Sequence, residues 1–230
     1  MKNYSTVVLA AAAAFVLAAC GGGGGDGGTP ANTLYAVNAA QRHLLVEGGT
    51  WTMTGTAPSG GAVSVTVALS PLAAALPISG NTAYPRTRQL FTVQGSGVAP
   101  AVIGQNLFFD SASLAIVQAT YDDGTCSVPT ANTAMPASAT LGASGASYVL
   151  NDLDGCTSNA PSTGTTITTW ALENDAGVAL LCWNSAARDT AGAVLASLSS
   201  CFEVAPDGAL GAKARLTSTA LGLSFTVRNY

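Results

Sequence analysis

The chain's reactive inventory is short: 12 Asp and Glu, one His and five Cys among 230 residues. Paired carboxylates can act as acid and base in glycoside hydrolysis, and two pairs lie close in sequence, Asp122 with Asp123 and Asp152 with Asp154. Each pair sits beside a Gly, where Asp side chains satisfy the backbone of a turn, so these residues predict turns before they predict catalysis. A Ser-His-Asp arrangement would have to use His43, between Arg42 and Leu44, and no GxSxG motif accompanies it. His43 therefore reads as a structural or surface histidine. Residues 151–155, Asn-Asp-Leu-Asp-Gly, place oxygen donors as the middle of a calcium loop does, but Leu150 occupies the first ligand place and Pro161 that of the closing Glu. Asp152 and Asp154 are left as weak metal candidates, and no catalytic residue, resident metal or cofactor is assigned.

The start of the chain carries an address. Lys2 precedes the uncharged run 7–19 of Val, Leu, Ala and Phe, and small residues close it, which is the order of a secretory signal. As a helix the run would reach roughly 20 Å, short of a hydrocarbon core of about 30 Å. Its last residues, Leu17-Ala18-Ala19-Cys20, resemble the lipobox of bacterial lipoproteins. That resemblance implies a diacylglyceryl group on the Cys20 thiol, removal of residues 1–19, and acylation of the freed amine by a fatty chain such as palmitate. In that family Asp after the cysteine marks retention in the inner membrane; Gly21 stands here, so the resemblance points to the outer membrane. Residues 20–33 form the lipidated Cys and a Gly-rich tether, which loses too much backbone entropy on ordering to pack. Two or three acyl chains hold such a protein at the membrane, where one binds marginally.

An exported chain folds where disulfides persist, so the four further cysteines, Cys126, Cys156, Cys182 and Cys201, read as two disulfides with three possible connectivities. Pairing near neighbours predicts Cys126 with Cys156 and Cys182 with Cys201. No CxxC spacing favours metal instead.

Only 9% of residues are charged, and without Lys2 seven basic side chains face 12 acidic ones. That balance excludes nucleic acid as a partner, since phosphate binding needs clustered Lys and Arg. The close basic pairs, Arg86 with Arg88 and Lys213 with Arg215, read as solvated strand faces. The membrane, through Cys20, is the one partner expected; a protein or glycan partner stays unidentified.

Period-two alternation dominates the rest. Val63, Val65, Val67 and Leu69 alternate with Ser64, Thr66, Ala68 and Ser70, and residues 221–228 repeat the pattern, giving strands with one apolar and one wet face. Trp51 and Met53 sit among threonines in a strand that residues 57–61 join to the next as a hairpin. Further strands are expected at 90–94, 106–109, 114–121, 125–128, 148–151, 165–173, 178–183 and 201–205. Trp51, Trp170 and Trp183 read as core. Two stretches read as helical, one capped by Asn38 and running to Leu45, the other a turn within the Ala-rich 190–199. The fold expected is all-β, an antiparallel sandwich or barrel, either as one domain over 34–230 or as two β modules, 34–132 and 133–230, divided near Pro129 to Pro136.

The body, through Tyr121-Asp122-Asp123-Gly124-Thr125 and Thr169-Trp170-Ala171-Leu172-Glu173, resembles uncharacterised β-rich lipoproteins of Gram-negative bacteria, a likeness that implies no activity. The role expected is structural, adhesive or ligand-binding. The alternative is an envelope hydrolase acting on glycan or peptide with Asp122, Asp152 or Asp154 as acid or base.

Overall fold

The computed structural model describes residues 32–78, 82–96, 98–220 and 223–230. Residues 1–31, which hold the expected signal, Cys20 and most of the expected tether, lie outside the described residues. One helix, α1 (Val37–Glu47), is followed by β1 (Gly49–Thr56), β2 (Ala62–Leu69), β3 (Ala73–Pro77), β4 (Ala83–Gly95), β5 (Val98–Phe109), β6 (Ile116–Tyr121) and β7 (Cys126–Asn132). Then come β8 (Ser144–Leu153), β9 (Ser162–Asp175), β10 (Val178–Asp189), β11 (Val194–Val204), β12 (Leu210–Ala220) and β13 (Leu223–Arg228).

The fold is all-β, with every pairing antiparallel and sequential except at two places. β1 pairs with β13, and β2 pairs with β4. Together these close a barrel of twelve strands, leaving β3 as an extra strip beside the start of β4. The two closures are unequal. β2 and β4 share seven register pairs from Val63↔Gly95 to Leu69↔Gln89, whereas β1 meets β13 only at Thr54↔Arg228 and Gly55↔Val227. Of the stretch from Pro129 to Pro136, residues 129–132 belong to β7 and pair with β8, and residues 133–136 lie in the connection that follows.

Alternation decides which way each wall residue points. Val63, Val65, Val67 and Leu69 are buried inward against Trp51, Met53, Phe91, Phe202 and Leu216, and the Trp51 and Phe202 rings lie 4.4 Å apart. Trp51 keeps its indole N–H satisfied by donating to the Gly211 carbonyl at 3.1 Å. Outward, hydroxyls take the place of charge: Thr52 with Thr66, Thr217 with Thr226 and Thr219 with Ser224 each meet across strands at 3.0 Å. Along these strands the apolar face is inward and the hydroxylated face outward, the reverse of the pattern in membrane-spanning barrels.

Eight strands enclose just enough space for their own side chains, while sixteen or more leave a channel. Twelve strands therefore leave room that inward side chains alone do not fill, and α1 takes up part of it. Val37 and Ala40 pack with Trp170, Leu172, Leu181 and Val204, while Leu44 joins the Trp51 cluster and Leu45 meets Phe109, Leu114, Ile116 and Leu150. The helix thus spans from one wall to another and plugs one end. At its end Gly48, with φ of 69°, turns the chain sharply into β1; a Cβ there would stand 2.3 Å from the Leu69 carbonyl oxygen.

The pairs Cys126 with Cys156 and Cys182 with Cys201 are both disulfide-bonded. Three local expectations are corrected. Asn38 does not cap α1; it lies inside the helix and donates from Nδ2 to the Met135 carbonyl at 3.4 Å, and the residue before the helix is Ala36. Residues 190–199 form no helical turn: the Asp189 carboxylate accepts the N–H groups of Ala191 and Ala193, fixing a tight turn from which β11 starts at Val194. Arg215 is not solvated, as the site below shows.

Candidate functional site

Between α1 and the barrel wall lies a partly enclosed cavity of about 110 Å³. Leu44 and Leu45 of α1 close it on one side. Phe91 of β4, Phe109 of β5, Ile116 of β6, and Trp183 and Phe202 of β10 and β11 supply much of the apolar lining. Its polar groups are Gln41 of α1 and side chains from two walls set opposite each other in the strand order. On β4 and β5, Gln89 and Gln105 are direct register partners, and Gln105 Nε2 donates to Gln89 Oε1. On the far side are Ser185 of β10 and Ser200 of β11, with Tyr148 of β8 beside them.

These groups differ in what they have already bonded. Ser185 and Thr168 hydroxyls meet at 2.9 Å, with the Tyr148 side chain beside them. Burial holds the Tyr148 pKa above its ordinary value. Ser200, opposite Trp183 in the register, is 7% exposed, and its Oγ has no hydrogen-bond partner. A buried hydroxyl left unpaired costs about 1–3 kcal/mol, so Ser200 is a vacancy for a donor or acceptor brought into the cavity. No charged side chain lines it among the described residues.

A second polar cluster lies inside the barrel toward the end opposite α1. Asp152 on β8 accepts from Ser127 Oγ at 2.5 Å and Thr166 Oγ1 at 2.8 Å, and the Tyr121 hydroxyl is 3.3 Å from Ser127. Burial pushes the Tyr121 pKa up to about 12. Asp152 was expected in a turn; the pleat of β8 instead turns it inward, two residues beyond the buried Leu150.

The other sequence candidates are scattered. Asp154 is exposed in the β8–β9 connection. Asp122 faces outward and binds Arg88 Nη2 at 2.7 Å, a bond that holds its pKa below the ordinary value. Asp123 accepts the N–H and hydroxyl of Thr125, as a turn residue does. Asp122 and Asp152 thus lie on opposite faces of the wall. His43 is exposed on α1, with Nδ1 2.8 Å from Glu47 Oε1. Trp51 and Trp170 are buried and Trp183 half-buried, all pointing inward.

On the outer wall, Arg215 covers the Cys182–Cys201 link and pairs with Glu173 Oε2 at 2.5 Å and Asp175 Oδ2 at 2.9 Å. Its side chain is only 17% exposed. Glu173, Cys182 and Cys201 are the one trio of metal-type ligand atoms within 4.8 Å of one another among the described residues. The disulfide consumes both sulfurs, so the trio offers no thiolate.

The sequence identified none of the cavity's polar groups. The period-two rows on β10 and β11 were the available signal: Ser185 and Ser200 are hydroxyls at otherwise apolar inward positions. No protein-family model, curated protein or solved structure matches the chain.

Proposed function

We propose that the chain is a lipid-anchored envelope lipoprotein whose barrel binds a small molecule in the cavity beneath α1. The observation that carries the binding role is the buried, unpartnered Ser200 hydroxyl in a mixed polar and apolar cavity. Binding sites for small molecules share that character, a mainly apolar lining with a few placed polar groups. The anchor rests on Leu17-Ala18-Ala19-Cys20 and the glycines after it. In this reading fatty chains on Cys20 hold the protein at the outer membrane, and the tether lets the barrel stand in water beside the lipid.

Two measurements test the two halves. Metabolic labelling with palmitate should mark the protein and fail on Cys20→Ser; equal labelling of both would end the anchor reading. Native mass spectrometry of protein released from envelopes should show an adduct lost on denaturation. A single mass matching the acylated chain, together with no saturable binding of small probes, would end the binding reading.

A further inference from the structure

We infer that the cavity selects an uncharged molecule of about four to six heavy atoms that exchanges a hydrogen bond with Ser200, an alcohol or primary amide in chemical class. The inference rests on the binding role just proposed and specifies its ligand. Size sets the first limit. A 150 Å³ apolar cavity accepts benzene, with six heavy atoms, so about 110 Å³ accommodates at most about that many.

Charge sets the second. Among the described residues no Lys, Arg, Asp or Glu lines the cavity, and an ion carried in without a partner would lose its hydration uncompensated. Asp152, farther along the interior, already accepts two hydroxyls.

Hydrogen bonding sets the third. Ser185 bonds with Thr168 beside Tyr148, and Gln105 donates to Gln89. Ser200 is the buried cavity hydroxyl left without a partner, with Trp183 directly across the strand and Leu198 and Phe202 flanking it on its own strand face, while Gln41 of α1 adds a neutral amide to the lining. A ligand thus sets its apolar body against Leu44, Leu45 and the rings, and its polar end against β11. Ser200 both donates and accepts, so alcohols and amides fit, while a pure hydrocarbon leaves the vacancy unfilled.

The test is an NMR titration of the full chain labelled at leucine methyls, with 1-butanol, butyramide, n-pentane and butyrate at pH 7 as probes. The alcohol and the amide should shift the methyls of Leu44, Leu45 and Leu198 saturably, and butyrate should not. Ser200→Ala should weaken 1-butanol about tenfold while leaving n-pentane unchanged, the size expected for one hydrogen bond. Butyrate binding as well as 1-butanol, or an alcohol affinity indifferent to Ser200→Ala, would overturn the inference while leaving a binding cavity in place. Failure of all four probes to saturate would remove the binding role itself. Ser200→Ala deletes an unsatisfied atom, so loss of fold is not expected, and the thermal midpoint of the variant checks that.

Discussion

Cys182 and Cys201 stand directly opposite each other on β10 and β11, their Cα atoms 3.9 Å apart, with Arg215 Nη2 lying 3.3 Å from the Cys201 sulfur. The cross-link closes a separation of 19 residues, which in the chain-entropy account limits the unfolded state by about 3 kcal/mol. Replacing both cysteines by Ala should lower the urea-unfolding free energy by roughly that amount. A loss below about 1 kcal/mol would show that the strand pairing alone already fixes this part of the wall.

The ion pairs of Arg215 and of Arg88 should behave differently. Arg215 is mostly buried and holds two carboxylates, Glu173 and Asp175, so Arg215→Ala strands partly buried charge and should cost about 2–4 kcal/mol. Arg88 is 35% exposed and Asp122 50%, and Arg88→Ala should cost less than about 1 kcal/mol. Denaturation curves of the two variants side by side check the contrast.

Acid should weaken the protein through Asp175. The Tyr230 hydroxyl, followed by Arg215 and Arg228, holds its pKa below the ordinary carboxylate value. A depressed folded pKa means stability that is fully present above the unfolded value, about 3.9, and lost as pH falls through the folded one. Tyr230→Phe should be less stable than the parent at pH 7 and lose less between pH 5 and pH 3. A parallel loss in both proteins would show that the hydroxyl contributes nothing to Asp175.

Alkali should act through Tyr121, whose pKa burial raises to about 12. A raised folded pKa gives stability that is present below the unfolded value near 10 and lost as pH climbs through about 12. Ultraviolet titration should show late tyrosinate formation coinciding with unfolding, and Tyr121→Phe should raise the pH at which the barrel opens.

The plug can be weakened one side chain at a time. Leu45 is 6% exposed and packs on Phe109, Leu114, Ile116 and Leu150, so Leu45→Ala should cost about 2–4 kcal/mol. Leu44→Ala should cost similarly and also enlarge the cavity, shifting probe preference toward bulkier molecules.

Much of the wall was legible because the pleat writes itself as alternation. Val63 to Leu69 could belong only to a strand with one wet face, and near-neighbour pairing of the cysteines gave both disulfides. Residues 190–199 misled because Ala, Leu and Ser suit a helix about as well as a strand, and what decides the matter is the Asp189 side chain gripping the turn. Asp152 misled in the opposite sense: lying two residues from Asp154-Gly155, it looked like turn chemistry, while the register of β8 with β7 and β9 sends it indoors. The cavity was beyond reach for a different reason. Gln89, Tyr148 and Ser200 stand on strands far apart in the chain, and only ring closure brings them around one space. Arg215, a surface residue by type, is buried because its partners Glu173 and Asp175 share the same outer wall.

The narrow β1–β13 junction carries a kinetic implication. It joins Thr54 and Gly55 to Val227 and Arg228, almost the full span of the barrel, and long-range pairings are the slow ones because loop-closure entropy must be met before contacts reward it. Until that meeting, β1 and β13 present bare backbone edges, and rows of valine and leucine stay open to neighbouring chains, the conditions under which all-β intermediates aggregate. A nascent molecule is therefore most in need of a chaperone at its very last step.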